Sequence, residues 1–346
     1  MKILRAIPQP ARNLCCAVVT ILATTACSDS SGPAGQQGRI VNTAIQDVSY
    51  ATETQSGIND ANGSFKFMQG ETITFSLGDT LLASVSAKAE LNWFELAGLS
   101  EIPVDYRAIK RVQYADDGEP SLSRLGAIAS LLTTVDADRD SSNGINISPA
   151  VAALFDGVEV NMQYASSPQY DAGFRRLLRH AARDGVLQPR MARKGAYALQ
   201  DVYDNHNVDP DVMTSRRRET DTGNDGSADS IRLLTYSAEG RVTRDCIDSD
   251  ANGAPNILVD LSYNEEGQGL LYAHDNDADG NVDRTRSWQY DEFGDVIRAE
   301  NDDDGDGTPE FTEIRAIKEN SVYARREVVN TTAGVHTIEV WTADSN

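Results

Sequence analysis

The sequence is short of cysteine, histidine and positive charge, and each shortage excludes something. Of 346 residues only four are Cys and four are His. Cys15 and Cys16 lie in the amino-terminal segment and Cys27 closes it, which leaves Cys246 alone, without an intramolecular partner. Its simplest role is a small packed residue in a strand. A fold without disulfides needs another staple. His180, His206, His274 and His336 form no zinc pattern such as H-E-x-x-H. Lys and Arg number 31 against 53 Asp and Glu, a formal charge of −22. That imbalance argues against nucleic acid and anionic lipid as partners and favours divalent cations. No G-x-S-x-G elbow occurs, and no Gly-rich phosphate loop ending in Lys-Ser/Thr. Carboxylates are so abundant that no pair stands out as a glycosidase pair. No enzyme is expected.

What is present is a repeat. One acidic pattern recurs at Asp221, Asp248, Asp275 and Asp302, 27 residues apart each time. Tyr236, Tyr263 and Tyr290 follow fifteen residues after the first three, with Ile317 in the fourth place. Gly240, Gly267 and Gly294 come four residues later. A fixed period of this length means one structural unit, stacked. Oxygen side chains at positions 1, 3, 5 and 9 with Gly at position 6 are what a calcium loop needs. The ion takes six to eight oxygens and the Gly permits the sharp turn. Copy three has Asp275, Asp277, Asp279, Gly280 and Asp283. Copy four has Asp302, Asp304, Asp306, Gly307 and Glu310, with Glu313 at position 12. Copy two, with Asp248, Asp250, Asn252, Gly253 and Asn256, has fewer charges and is expected to bind more weakly. Copy one keeps Asp221, Asp225, Gly226 and Asp229 but has Gly223 at position 3. Crowded carboxylates repel unless a cation neutralises them. The alternative is a set of ion-free acidic turns.

Ile257, Val259, Leu261 and Tyr263 alternate with mostly polar residues, a strand signal. The Tyr-x-x-x-Gly segments read as turns. They resemble the YD repeats of bacterial RHS-type proteins, and the acidic loops resemble EF-hand-like and thrombospondin type 3 calcium repeats. These resemblances span about residues 220–328 and imply Ca2+ as the bound ion. No amphipathic helix flanks the loops, so a meandering or spiralling sheet of hairpins is expected rather than EF-hand helix pairs.

Residues 1–26 read as a signal peptide. Lys2, Arg5 and Arg12 precede an apolar run from Leu14 to Ala23, too short to anchor permanently in a bilayer. Thr24-Thr25-Ala26-Cys27 resembles the lipobox of bacterial lipoproteins, with Thr24 where the family usually has Leu. The resemblance implies lipidation of Cys27 and a membrane anchor, and Ser28 leans towards the outer membrane. An ordinary secretory signal cut near Ala26 is the alternative. Removing a segment that carries three positive charges takes the charge from −22 to −25. Residues 27–37 read as a Ser- and Gly-rich tether.

The fold class expected is mainly β and multidomain. Residues 38–115 read as a β-sandwich, opened by Ile40, Ile45, Val48 and Tyr50. Its Asp60-Ala-Asn62-Gly63 turn before Phe65 resembles transthyretin-like domains, which implies a fold and no activity. Residues 116–205 read as a small helical module. Leu122, Leu125, Ile128, Ala129, Leu131 and Leu132 have helical spacing behind Ser121, and further helices are expected at Pro149–Phe155, Asp171–Asp184 and Met191–Tyr203. Asp136, Asp138 and Asp140 again have calcium spacing, but position 6 is Ser141. Arg175, Arg176, Arg179 and Arg183 form one basic stripe, expected to face solvent and acidic neighbours. Residues 206–346 are the calcium-loop repeat domain. The function expected is a calcium-binding envelope lipoprotein with a structural or interaction role and a protein or glycan partner. A carbohydrate- or polymer-binding module is the alternative, suggested by Tyr272, Trp288 and Phe293 near hairpin tips.

Overall fold

The computed structural model describes residues 35–113, 119–210, 216–237, 241–317 and 323–341. The signal segment, Cys27, most of the tether and Gly240 lie outside them. The fold is mainly β.

Eight short strands fill residues 36–91: β1 (Gln36–Ile40), β2 (Ile45–Gln46), β3 (Ser49–Ala51), β4 (Ser56–Ile58), β5 (Ser64–Phe67), β6 (Thr72–Leu77), β7 (Thr80–Ser86) and β8 (Glu90–Leu91). All but β2 form a three-stranded sheet, β5-β1-β8, and a four-stranded sheet, β4-β3-β6-β7. Period-2 alternation turns Phe65, Phe67, Ile73, Phe75 and Leu77 into one core. The Asp60 turn forms as its residues demand: Oδ1 accepts from the amides of Asn62 and Ser64, both at 2.9 Å. The region is not wholly β. A capping box between Asn92 and Glu95 starts α1 (Trp93–Leu96), and Asp105 caps α2 (Tyr106–Val112).

Helix α3 (Leu122–Val135) starts on Ser121, whose Oγ accepts from the Arg124 amide at 3.1 Å. Thirteen of its fourteen residues are buried. Its hydroxyls are satisfied by backbone: Thr133 and Thr134 donate to the carbonyls of Ala129 and Ser130 at 2.7 and 2.5 Å. The segment after α3 forms β9 (Ile145–Asn146), which pairs in parallel with β2. Three helices follow in α4 (Pro149–Ala152), α5 (Ser167–Tyr170) and α6 (Ala172–Arg183), the last capped by Asp171. Helix α7 (Gly195–Asn205) begins four residues later than its apolar spacing suggests. The Arg193 amide is committed to Thr134 Oγ1 at 2.8 Å, so the chain stays extended there. One hydrophobic cluster runs from Ile40 to Tyr203, so strands and helices share a single core.

That core stops where the repeat begins. Ten antiparallel strands follow in sequence order: β10 (Arg217–Thr220), β11 (Ser230–Tyr236), β12 (Val242–Asp248), β13 (Ile257–Tyr263), β14 (Gly269–Asp275), β15 (Arg284–Tyr290), β16 (Val296–Asp302), β17 (Phe311–Ile317), β18 (Tyr323–Asn330) and β19 (Val335–Val340). The expected meander is what forms. Its register shifts at Tyr236, Tyr263, Tyr290 and Ile317, the same repeat position each time. There the Tyr263 and Tyr290 hydroxyls donate to the carbonyls of Val242 and Gly269 at 2.9 and 2.8 Å. Val259 is the one buried apolar residue among the described residues of this sheet.

A meander puts alternate connections at opposite strand ends. The acidic loops therefore share one rim and the Tyr-x-x-x-Gly turns the other. The turn rim is docked on the helices. Arg175 and Arg179 of α6 pair with Asp295, and Arg179 also reaches Asp291 at 3.2 Å. The Arg179 guanidinium lies 4.3 Å from the centre of the Phe293 ring. Arg241 lies 4.5 Å from the Tyr197 ring and donates to the Asn264 carbonyl at 2.9 Å. Lys194 donates to the Gly267 carbonyl. The expectation of a solvated arginine stripe needs correcting for Arg179, whose side chain is only 9% exposed. Phe293 sits at a tip but is covered by that arginine, while Tyr272 and Trp288 lie within strands, not at tips.

Candidate metal centres

Each acidic loop is built by its own backbone. Position 1 ends a strand: Asp248, Asp275 and Asp302 close β12, β14 and β16 and are buried there, and exposed Asp221 follows β10. Its second carboxylate oxygen accepts from the position 6 amide at 2.8 Å in all four copies, from Gly226, Gly253, Gly280 and Gly307. Its first accepts from the position 5 amides of Asp225, Asn252 and Asp279 at 3.1–3.2 Å, or from Gly305 at 2.6 Å in copy four. Position 9 accepts from the position 2 amide, as Asp229 does from Thr222 at 2.6 Å and Asn256 from Ser249 at 2.7 Å. Asp283 and Glu310 do the same with Asn276 and Asp303. Position 6 takes φ of +86 to +95°, which explains its Gly. Position 4 is also left-handed, at Asn224, Ala251, Ala278 and Gly305. Sequence reading missed that, because two Ala carry no such signal; Asn224 and Gly305 do.

The loops differ in what they gather. In copy four, oxygens of Asp302, Asp304, Asp306 and Glu310 lie within 4.8 Å of one another. In copy three, Asp275, Asp277 and Asp283 do the same. Asp279 is not in that group; it accepts from the amide and side chain of Asn281 at 2.8 and 3.0 Å. In copy two, Asp250 is engaged by the Asn252 side-chain amide at 2.8 Å. In copy one, Asp225 accepts from the Ser227 amide at 2.9 Å, and Asp221, Asp225 and Asp229 form no such cluster among the described residues. Burial would push the Asp275 carboxyl up, but the amides of Gly280, Asp279, Asp277 and Ala278 hold it below its usual range. Asp248 is held down in the same way, first by Gly253.

Glu313 is a correction. It lies on β17, buried, and pairs with Arg315 at 2.9 Å and with Arg326. An EF-hand brings position 12 back by starting a helix. Here a strand follows position 9 and carries Glu313 away along the sheet.

At the end of α3, Asp136 is fully buried. Its Oδ1 accepts from the Asn146 amide at 2.8 Å, and its Oδ2 has no partner. Burial pushes its carboxyl up to about 6. The neighbouring Asp138 carboxylate adds to that rise. Asp138 accepts from Asn143 Nδ2 at 2.8 Å, which holds it low. Asp140 is turned to Ser142, whose amide and hydroxyl it binds at 3.0 and 2.6 Å. The structure thus brings Asp136 to Asp138 and leaves Asp140 aside.

Donor sets made only of carboxylate oxygen suit a hard divalent ion. No protein-family model and no curated protein matches the sequence. Solved structures that resemble part of it include a TcdB2–TccC3 crystal structure and the Photorhabdus luminescens Tc holotoxin pore. Each is 11% identical, with TM-scores of 0.17 and 0.16. The overlap covers 35% of this chain and 9% of each neighbour's. A likeness this weak carries no argument about this chain.

Proposed function

We propose that this chain is an exported, lipid-anchored protein of the cell envelope whose RHS-like repeat sheet is stiffened by Ca2+ and serves a structural or interaction role. The observation that carries the reading is the convergence of Asp302, Asp304, Asp306 and Glu310 within 4.8 Å on a loop already closed by its own amides. The physical argument is the missing core. A single-layer sheet with one buried apolar residue among its described residues cannot lean on hydrophobic burial, so an ion at each loop neck would fix the strand pair beside it. Extracellular calcium modules bind at about 10⁻⁴–10⁻³ M, which suits an exported chain.

Calorimetric titration of the full chain tests this. Calcium should bind, and Asp306→Ala should remove about one ion per chain. Asp225→Ala should leave the count as it was. A wild-type chain that takes up no calcium, or an Asp306→Ala chain with an unchanged count, refutes the assignment. The anchor is tested apart: Cys27→Ser should release the protein from the membrane fraction, and an unchanged fractionation would rule lipidation out.

A further inference from the structure

The third hairpin breaks the pattern of its own repeat. Arg284, Arg286 and Trp288 of β15 share a face with Tyr272 and His274 of β14, and Tyr272 lies directly across the ladder from Arg286, His274 from Arg284. Together they line a groove of about 320 Å³. One copy earlier, the places of Arg284, Arg286 and Trp288 hold Ile257, Val259 and Leu261. An aliphatic stripe has given way to two guanidinium groups and one indole.

Among the described residues the two arginines have no acidic partner, although acids abound. Among the other described arginines from Arg232 to Arg326, Arg232 pairs with Asp245, Arg244 with Asp260, Arg298 with Glu300, Arg315 with Glu313, Arg325 with Glu327 and Arg326 with Glu313. Arg241 is spent on the Asn264 and Glu265 carbonyls. Arg284 has only His274, at 3.3 Å from Nη2 to Nδ1, and its shielded Nε has no acceptor. The side chain of exposed Arg286 makes no hydrogen bond or ion pair among the described residues. The Tyr272 ring stands edge-on to Trp288 with centroids 6.4 Å apart, and stacks on His274 at 5.5 Å.

We propose that this groove binds an anionic saccharide, a chain whose sugar units carry carboxylates. The apolar face of a sugar ring lies on Trp288, with the Tyr272 ring standing beside it as a wall, and the carboxylate meets Arg284 and Arg286. Guanidinium forks match a carboxylate bidentately, and the rings supply contact area that a simple inorganic anion would not use. Duplex nucleic acid, with one charge per about 1.7 Å of axis, would be repelled by a chain of charge −22, whereas a short uronic-acid oligomer puts a single carboxylate on each sugar, a load two arginines can take up. This assignment does not rest on the calcium reading.

The test is calorimetric titration of the full chain, in chelator and again in calcium, with a tetramer of galacturonic acid and with its methyl ester. The acid tetramer should bind in both media and shift Trp emission. Arg286→Gln should weaken it at least about tenfold, Arg286→Lys less, and Ser287→Ala on the opposite face not at all. Trp288→Phe should abolish the emission shift. Equal binding of acid and ester overturns the proposal, and so does the absence of binding at millimolar tetramer. Binding that needs calcium and survives Arg286→Gln is ion bridging at the loops and overturns it too. Melting the same samples with and without calcium tests the repeat loops separately.

Discussion

Asp275 and Asp136 are both buried carboxylates, and what separates them is the supply of amide donors. Asp275 receives the amides of Asp279 and Gly280, so its charge is welcome even before an ion arrives. Asp136 receives one amide, from Asn146, and keeps a bare oxygen. Its folded value is raised, so folding is unburdened below the ordinary 3.8, and that advantage is lost as pH rises through about 6. In chelator at pH 7.5, Asp136→Asn should therefore raise stability by about 1–3 kcal/mol, since the new amide can donate to Asp138. Asp275→Asn should lower it by about 1–2 kcal/mol, because an amide nitrogen cannot accept from Gly280. Urea midpoints of the two variants check this. A destabilised Asp136→Asn would mean that the buried Arg190 guanidinium, which donates to the Asp136 carbonyl at 2.7 Å, outweighs the burial of the charge.

At the scale of elements, the molecule is held together by turn tips seated on helices. Arg179→Gln removes the bonds to Asp291 and Asp295 and the cover over Phe293. Arg175 still faces Asp295, so the loss should be about 2–3 kcal/mol rather than a full uncompensated charge. Amide exchange should quicken around residues 291–295, while β6 and α3 stay protected. Uniform acceleration across the chain would contradict a local clasp. This clasp was hidden from the sequence. The 27-residue period, the strand alternation and the Gly at position 6 are local and could be read directly. Seating Asp295 on Arg175 joins residues 120 apart, and no periodicity announces it. Glu313 was misread for the opposite reason: the spacing was right for an EF-hand, but the following element is a strand. Asp279 matched the pattern as well as Asp306 did, and only the Asn281 side chain next to it decided otherwise.

At the scale of the whole molecule, a core that ends at Tyr203 and a sheet that begins at Arg217 should not melt alike. The core has apolar burial; the sheet has ladders, ion pairs and the docked rim. Calorimetry should resolve two transitions, the sheet's at the lower temperature. Two causes could link that lower transition to calcium. One is general screening of a −22 chain, which any salt supplies, since the Debye length is already about 10 Å at 0.1 M. The other is binding at the loop necks, which adds about 2.7 kcal/mol per site when the ion is a hundredfold above its Kd. Sodium chloride at equal ionic strength separates them. Binding predicts that millimolar calcium raises the lower transition by roughly 5–10 °C over the sodium control and leaves the core transition in place. Magnesium should do less, because it demands a tighter octahedron and gives up its water reluctantly. If sodium matches calcium, the carboxylates of Asp302, Asp304, Asp306 and Glu310 are neighbours that repel, and the loops are acidic turns.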